Sequence, residues 1–288
     1  MTPCSIRYST GSLLLILLLS TIGFSAGSLH AASPDAEKQR VNFDELASAL
    51  DKGMRTASVK SFAVADFLDS DGRDSELTWY LSGKLSDAMR KDVGNSAGLR
   101  VVSRATLADT KVTVDDFNSP EALARVGGVW GVAAIVGATV EVTPDHFVVR
   151  AIVRNVSDSV VVIIGVQSIP RDRFLDLLLP EGTDKETTHL KTIGVDGVVA
   201  PTCVYCPIPS YSDDARAARI QTAKVTLTVT VSTKGEAIKV VLDKNPGFGL
   251  GEKAIEDVSE WKFRPAMQNG KPVTVAVPVE VTFNLART

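Results

Sequence analysis

Residues 272–285 read PVTVAVPVEVTFNL, and this stretch decides the fold of the C-terminal part of the chain. Every odd-numbered position from Val273 to Leu285 is apolar, and smaller or polar residues stand between them. A strict period of two is typical of a strand that buries one face, because successive side chains of a strand point to opposite sides. We therefore predict a long, half-buried strand at the end of the chain.

Two shorter alternating runs precede this strand. Val225–Val231 and Ile238–Leu242 have the same period, and the turn at Gly235 between them predicts a β-hairpin. A helical stripe of apolar residues follows between Leu250 and Trp261. Residues 209–288 are therefore predicted to form a small domain with two helices on a three-stranded antiparallel sheet.

This order of elements resembles the C-terminal domain of the TonB family. The resemblance covers residues 207–288 and is carried by Tyr211, the helix at 213–220, Gly249-Leu250, WKFRPA at 261–266, NGKPV at 269–273 and the last strand. One position departs from the family pattern, since Ser212 follows Tyr211 where the family usually has proline.

The resemblance implies a binding function. In the TonB family the partner is the short N-terminal segment of outer-membrane transporters, and an exposed strand edge can accept such an extended segment as an added strand. The residues implied to bind it lie in the last strand and ahead of the first helix of the domain: Pro209, Ser210, Tyr211, Val275, Val277, Val279, Val281 and Phe283. Pro278 lacks an N–H, so one bond to the partner would be lost or the strand is shielded there.

Residues 61–180 are predicted to form an N-terminal mixed α/β sandwich domain, which makes the expected fold class of the whole chain α+β. Strand and helix signals alternate up to Gly128, and three apolar strands follow between Val132 and Val166. This order predicts a mixed sheet with its helices on one side.

Three apolar motifs of this domain resemble the periplasmic α/β domain of the CsgG and FlgO group. They are VADF at 64–67, RVVSR at 100–104 and VAAIVG at 132–137, together with the helix at 76–90. The members of this group are outer-membrane assembly proteins, and the resemblance implies a periplasmic domain.

The N-terminus predicts export. Residues 1–32 have the form of a signal peptide, with Arg7 ahead of the unbroken apolar run Leu13–Leu19 and small residues behind it. Residues 8–34 contain no Lys, Arg, Asp or Glu, so an uncleaved inner-membrane anchor is the alternative. Residues 33–60 are interpreted as a polar segment, and the expected location is the periplasm.

Residues 181–208 are predicted to be a linker that contains Cys203 and Cys206. In an exported chain this Cys-x-x-Cys pair predicts a disulfide, because exported proteins fold in an oxidising compartment. Zinc binding or redox work is the alternative, but neither a second such pair nor a βαβ context accompanies it.

The sequence carries no motif of catalysis or of cofactor binding. The three histidines are scattered, and H-E-x-x-H, G-x-S-x-G and Walker patterns are absent. The glycines at 247–251 do not have dinucleotide-binding spacing, and the acidic stretch 69–74 lacks the glutamate of a calcium loop. With a net charge of −3 and dispersed basic residues, nucleic acid is not an expected partner. We expect no enzyme, no metal and no small-molecule cofactor.

The expected function is that of a periplasmic TonB-family protein that binds an outer-membrane transporter segment, in envelope transport or energy transduction. The alternative is a structural accessory that scaffolds an envelope assembly complex without energy input. The alternative stays open because a globular domain stands where energy transducers of the family have a Pro-rich spacer.

Overall fold

The computed structural model describes residues 41–94, 99–102, 117, 119–180 and 190–285, so the predicted signal peptide lies outside the described residues. The helices are α1 Asp44–Thr56, α2 Glu76–Gly94, α3 Pro120–Trp130, α4 Arg173–Asp176, α5 Asp213–Ala217 and α6 Leu250–Ser259. The strands of the first domain are β1 Ser61–Val64, β2 Leu68–Asp69, β3 Arg100–Val101, β4 Ala134–Val142, β5 His146–Asn155 and β6 Val161–Pro170. The remaining strands are β7 Val198–Val199, β8 Thr202–Tyr205, β9 Thr222–Val231, β10 Ala237–Lys244, β11 Lys262–Arg264, β12 Ala266–Gln268, β13 Lys271–Val273 and β14 Val275–Asn284.

The first domain is built on a six-stranded mixed sheet. The strand order is β3-β1-β4-β5-β6, and β2 adds to β4. β1 pairs in parallel with β3 and β4, whereas β4, β5 and β6 form an antiparallel meander. The α+β class predicted for the chain is confirmed.

Helices cover both faces of this sheet, which corrects the expectation that they lie on one side. Phe62 and Val64 of β1 pack into the core that α1 and α2 share. Ala63 and Ala65, which point to the opposite face, pack with α3 residues such as Leu123. β1 is apolar at successive positions because a parallel strand in the middle of a sheet is buried on both faces.

α1 is part of the first domain, although residues 33–60 were interpreted as a polar segment. Leu46, Leu50 and Met54 are at most 5% exposed and bury one stripe of the helix. α1 approaches β6 so closely that a Cβ on Gly165 would overlap the Leu46 side chain. The charged residues between these apolar positions weaken the hydrophobic pattern, so the sequence of this mildly helical segment shows only a weak amphipathic stripe.

The C-terminal domain has the predicted three-stranded antiparallel sheet. The order is β10-β9-β14, with β9 in the centre and in register with β14 over its whole length. α5 and α6 supply the two predicted helices. The odd-numbered side chains of β14 from Val275 to Phe283 are at most 1% exposed, as the period of two predicts.

Part of the predicted linker is strand. β7 pairs with β12, and β8 pairs with β11, so residues 198–205 add two strands to the C-terminal domain. The partners of β8 lie 57 to 62 residues further along the chain and those of β7 lie 68 to 70 residues further, and no local sequence pattern predicts such pairing.

The two domains share one continuous hydrophobic core, to which α2 and the residues after α4 contribute from the first domain and α6 and β10 from the second. Leu177 accepts a main-chain hydrogen bond from Val240 at 3.4 Å. No helix in the described ranges is long and apolar enough to cross a bilayer.

Candidate partner-binding edge

β14 forms one edge of the C-terminal sheet, and its even-numbered residues direct their main-chain groups outward. The Thr274 carbonyl accepts a bond from Lys191 N at 3.0 Å, on the side away from β9. On the β9 side, Leu285 N donates to Gln221 O at 2.9 Å. Each residue of an antiparallel strand directs its N–H and its C=O to the same neighbouring strand. The odd-numbered residues of β14 therefore bond to β9, and the even-numbered residues face away from it.

The residues of β14 that were predicted to contact the partner are therefore not the ones whose main-chain groups face outward. Val275, Val277, Val279, Val281 and Phe283 direct their side chains into the core and their main-chain groups towards β9. An added strand would meet the alternate residues, such as Thr282 and Asn284. The sequence carried a signal for this, since proline at 278 is tolerated only where its missing N–H faces away from β9.

The opposite edge of the sheet, β10, is partly covered by residues of the first domain. Leu177 bonds to Val240 of β10, and the Arg173 guanidinium contacts the Ala237 carbonyl at 3.4 Å and Glu236 at 3.1 Å. On the outer side of β14, the single main-chain bridge found in the described ranges joins Lys191 to Val275. Within the described ranges, the part of β14 from Pro278 to Asn284 carries no such bridge on its outer side.

Residues 209–211, which precede α5, contact both α6 and the end of β14. The Tyr211 ring stands edge-on to the Phe283 ring with 5.8 Å between centroids, and its hydroxyl donates to the Ile220 carbonyl. Ser210 instead donates to Asp257 of α6 from both N and Oγ, at 2.9 and 3.2 Å, and Pro209 is buried. Of the three predicted residues, Tyr211 is the one with a contact to β14.

Ser212 stands at the family's proline position and has a clear role. Its hydroxyl caps α5 by accepting a bond from Ala215 N at 3.2 Å, and it donates to the Phe248 carbonyl. A serine N-cap satisfies a helix N–H that proline could not. The departure from the family pattern therefore preserves the start of the helix.

Cys203 and Cys206 are joined by a disulfide, with their Cα atoms 6.1 Å apart. The bond lies between β8 and Pro207, whose carbonyl accepts a hydrogen bond from the buried Trp261 indole at 3.2 Å. A loop this short restricts the unfolded chain little, so the disulfide contributes at most about 2 kcal/mol to stability.

A buried cluster of charges joins the two domains, and sequence reasoning missed it. Glu256 of α6 accepts a bond from the Tyr80 hydroxyl at 2.8 Å and pairs with Lys84 of α2, while Lys253 lies 3.1 Å from its other oxygen. The Glu256 side chain is only 6% exposed. Nothing in the sequence indicates that residues 176 positions apart meet.

The environment of Glu256 keeps it ionised. Burial by itself raises the pKa of this carboxyl, but the charges of Lys84 and Lys253 and the hydrogen bonds from Lys84 and Tyr80 outweigh burial. The pKa of Glu256 in the folded chain therefore lies below its ordinary value of 4.5.

This pKa shift predicts a loss of stability in acid. A lowered folded-state pKa contributes stability above the unfolded-state value of 4.5, and this contribution disappears as pH falls through the folded-state pKa. We expect the difference in unfolding free energy between the parent and Glu256→Gln to be constant at neutral pH and to shrink below pH 4.5. Urea unfolding of both proteins from pH 7 to pH 3 measures it, and two parallel curves would contradict it.

In the part of the chain that the structure describes, no group of three or more His, Cys, Asp or Glu side chains could hold a metal ion. In the acidic turn, the Asp69 carboxylate accepts bonds from the main-chain N–H groups of Asp71 and Arg73 at 2.8 and 2.9 Å.

Residues 207–285 match the family described as Gram-negative bacterial TonB protein C-terminal. Fold and match agree over the same residues, so the C-terminal domain of this chain is a TonB C-terminal domain. No curated protein sequence matches the chain significantly.

The chain is similar to three solved structures at low identity and low TM-score. Lipoprotein GNA1162 from Neisseria meningitidis is 18% identical, with 39% of this chain and 81% of that chain covered and a TM-score of 0.31. The LpoB C-terminal domain from Salmonella enterica is 9% identical, with 45% and 96% covered and a TM-score of 0.31. LpoB from E. coli is 7% identical, with 59% and 89% covered and a TM-score of 0.32. These values carry no argument about function, and the resemblance to the CsgG and FlgO group is not confirmed.

Proposed function

We propose that this protein works in the periplasm by binding an extended segment of an outer-membrane transporter, which adds as a strand to β14 in envelope transport or energy transduction. The observation that carries the proposal is the accessible edge of a ten-residue strand in a TonB C-terminal domain. An exposed edge with a regular array of main-chain groups is a template for strand addition. Binding of this kind needs no catalytic residue, metal or cofactor.

Two features limit where the segment pairs. Lys191 occupies the outer side of β14 at Val275, and Pro278 offers an added strand only its carbonyl. We therefore place the main-chain bonds of the complex in the second half of β14, around Thr282. Main-chain bonds supply affinity there, and alternate side chains of the segment supply specificity.

We expect Thr282→Pro to weaken binding of a transporter segment about tenfold or more, because it removes one outward N–H and its ring obstructs the approaching strand. The β9 pairing survives, since Pro278 already shows that a residue with the same orientation tolerates proline. Titration of the mature chain with N-terminal peptides of outer-membrane transporters, followed by amide chemical shifts, measures the affinity.

Thr282→Ala is the matched control for this measurement. It removes the same side chain but keeps the N–H, so it should bind like the parent. Equal affinity of Thr282→Pro and parent would rule out edge pairing at this position, and a parent that binds no transporter peptide would remove the proposal as a whole.

The second candidate is the non-energised scaffold. It is favoured by the buried contacts of Glu256 with Tyr80 and Lys84, which hold the C-terminal domain against a globular domain. The mature N-terminus, read by mass spectrometry, separates the candidates: a retained Met1 supports a membrane-anchored energy transducer, and cleavage near residue 32 favours the scaffold.

A further inference from the structure

The Cys203–Cys206 disulfide lies on the surface of the C-terminal domain, on a strand with few other contacts. All four residues of β8 are exposed, and β8 is held through its pairing with β11, which aligns Cys203 with Phe263. Cys206 is partly buried against the core. Cys203 therefore lies on an exposed strand, while Cys206 is attached to the packed part of the domain.

A continuous series of contacts leads from this disulfide to β14. Pro207, directly after Cys206, accepts the hydrogen bond of the Trp261 indole. Ser210 is bonded to Asp257, and the Tyr211 ring packs on Phe283 of β14. We call residues 207–211 the entry segment. The disulfide fixes the first end of the entry segment, and Tyr211 fixes the other against the end of β14.

We propose that the Cys203–Cys206 disulfide is a thiol–disulfide exchange site, at which a protein or small-molecule dithiol releases the entry segment while the domain stays folded. The accessible strand, the exposed Cys203 and the position of Cys206 beside the entry segment carry this proposal. The partner is defined by its chemistry: a reductant with two neighbouring thiols.

The thiol–disulfide exchange takes place in two steps. A thiolate of the dithiol attacks Cys203 Sγ, which forms a mixed disulfide and releases the Cys206 thiolate. The second thiol of the reductant then attacks the sulfur of the reductant that is bonded to Cys203. This forms a disulfide within the reductant and releases the Cys203 thiolate. Two electrons and two protons pass to the cysteines, and the reductant leaves as a disulfide.

The short spacing makes the effect local. A disulfide that closes a four-residue loop restricts the unfolded chain little, so its opening changes global stability little. The packed elements β9, β14 and α6 are held by buried residues such as Leu227, Val279 and Ile255, each at most 1% exposed. Reduction removes the covalent link between Cys203 of β8 and Cys206, the residue before the entry segment, so we expect these two segments to loosen before the packed elements do.

The consequence for partner binding rests on the proposed function. Tyr211 contacts β14 at Phe283, close to the part of the strand where we place the transporter segment. We expect reduction to weaken peptide binding about tenfold, because a mobile entry segment must be ordered again in the complex.

The test measures the disulfide and the entry segment without any peptide. The mature chain is treated with dithiothreitol under native conditions, its thiols are alkylated, and peptide mapping identifies the modified cysteines. We expect Cys203 and Cys206 to be reduced in the folded protein. Hydrogen exchange of amides in residues 203–211 should then rise about tenfold or more, with β9 and β14 unchanged. The double variant Cys203→Ser/Cys206→Ser should match the reduced parent and not respond to dithiothreitol.

Three outcomes would overturn the proposal. These are a disulfide that dithiothreitol reduces only after urea unfolding, unchanged exchange in residues 203–211 after reduction, and a rise in exchange across the whole domain. The first means a protected bond, the second a bond without influence on the entry segment, and the third a global staple. If the exchange result is as expected but no form binds a transporter peptide, the proposed function fails and the exchange site stands.

Discussion

Replacing Glu256 with alanine should lower the free energy of unfolding by about 3 kcal/mol, because it leaves Lys84 and Lys253 partly buried without their shared counter-charge. The Lys84 and Lys253 side chains are 21% and 25% exposed, so water compensates only part of the loss. The Tyr80 hydroxyl loses its acceptor as well. Urea unfolding at pH 7, followed by circular dichroism, measures the effect.

Glu141→Ala is the control for this experiment. It removes a carboxylate that also pairs with a cation, Arg150 at 3.2 Å, but both side chains are 52% exposed. Exposed pairs contribute little, so the control should lose less than about 1 kcal/mol. Equal losses in the two variants would show that the interface between α2 and α6 is open to water in solution.

The same variant tests whether the domains unfold together. Glu256 belongs to α6, whereas Tyr80 and Lys84 belong to α2, so its removal weakens a contact between domains. We expect both the parent and Glu256→Ala to unfold in one transition, because one continuous hydrophobic core joins the two domains. Two separate transitions in the variant would show that the contact through Glu256 is what couples the domains.

Gly235→Ala should destabilise the C-terminal domain by at least about 3 kcal/mol, because both its backbone and its surroundings reject a side chain. Gly235 has a φ of +77°, and an added Cβ would overlap Phe263 O and lie 2.9 Å from the carbonyl carbon of Phe263. To make room, β11 must move away from the turn and lose the bond from Phe263 N to Gly235 O, now 2.8 Å long.

Gly270→Ala separates these two causes. Gly270 has nearly the same φ, +76°, but nothing lies within 4 Å of an added Cβ. It should cost only about 1 kcal/mol, the strain of a left-handed backbone. If both variants lose the same stability, the close approach of β11 to the turn is absent in solution, and thermal unfolding of the two proteins decides this.

Local periodicity of apolar residues is sufficient to predict the strands and helices that bury one face. β14, β9 and β10 were predicted because their alternation is continuous, and a period of two has no other structural explanation. The resemblance to the TonB family also rested on local motifs in a fixed order, and the family match at residues 207–285 confirms it. Pro278 also indicates in the sequence that the even-numbered residues of β14 are the ones whose main-chain groups face away from β9.

Only the tertiary structure decided which surfaces meet. α1 has a short apolar stripe, so its place beside β6 follows from the space that Gly165 leaves for Leu46. β7 and β8 are too short to be recognised alone and become strands because β12 and β11 pair with them. In these elements the stabilising contacts come from distant parts of the chain, which local propensity does not record.

The sequence by itself thus determined the three-stranded sheet, the orientation of its last strand and the family of the C-terminal domain. The tertiary structure decided that β10 contacts the residues after α4, that Lys191 bonds beside one end of β14 and that Glu256 joins the domains. The physical reason is the range of the interactions. The alternation of β14 is contained in consecutive residues, whereas the bond between Tyr80 and Glu256 spans 176 positions and exists only after both domains have packed.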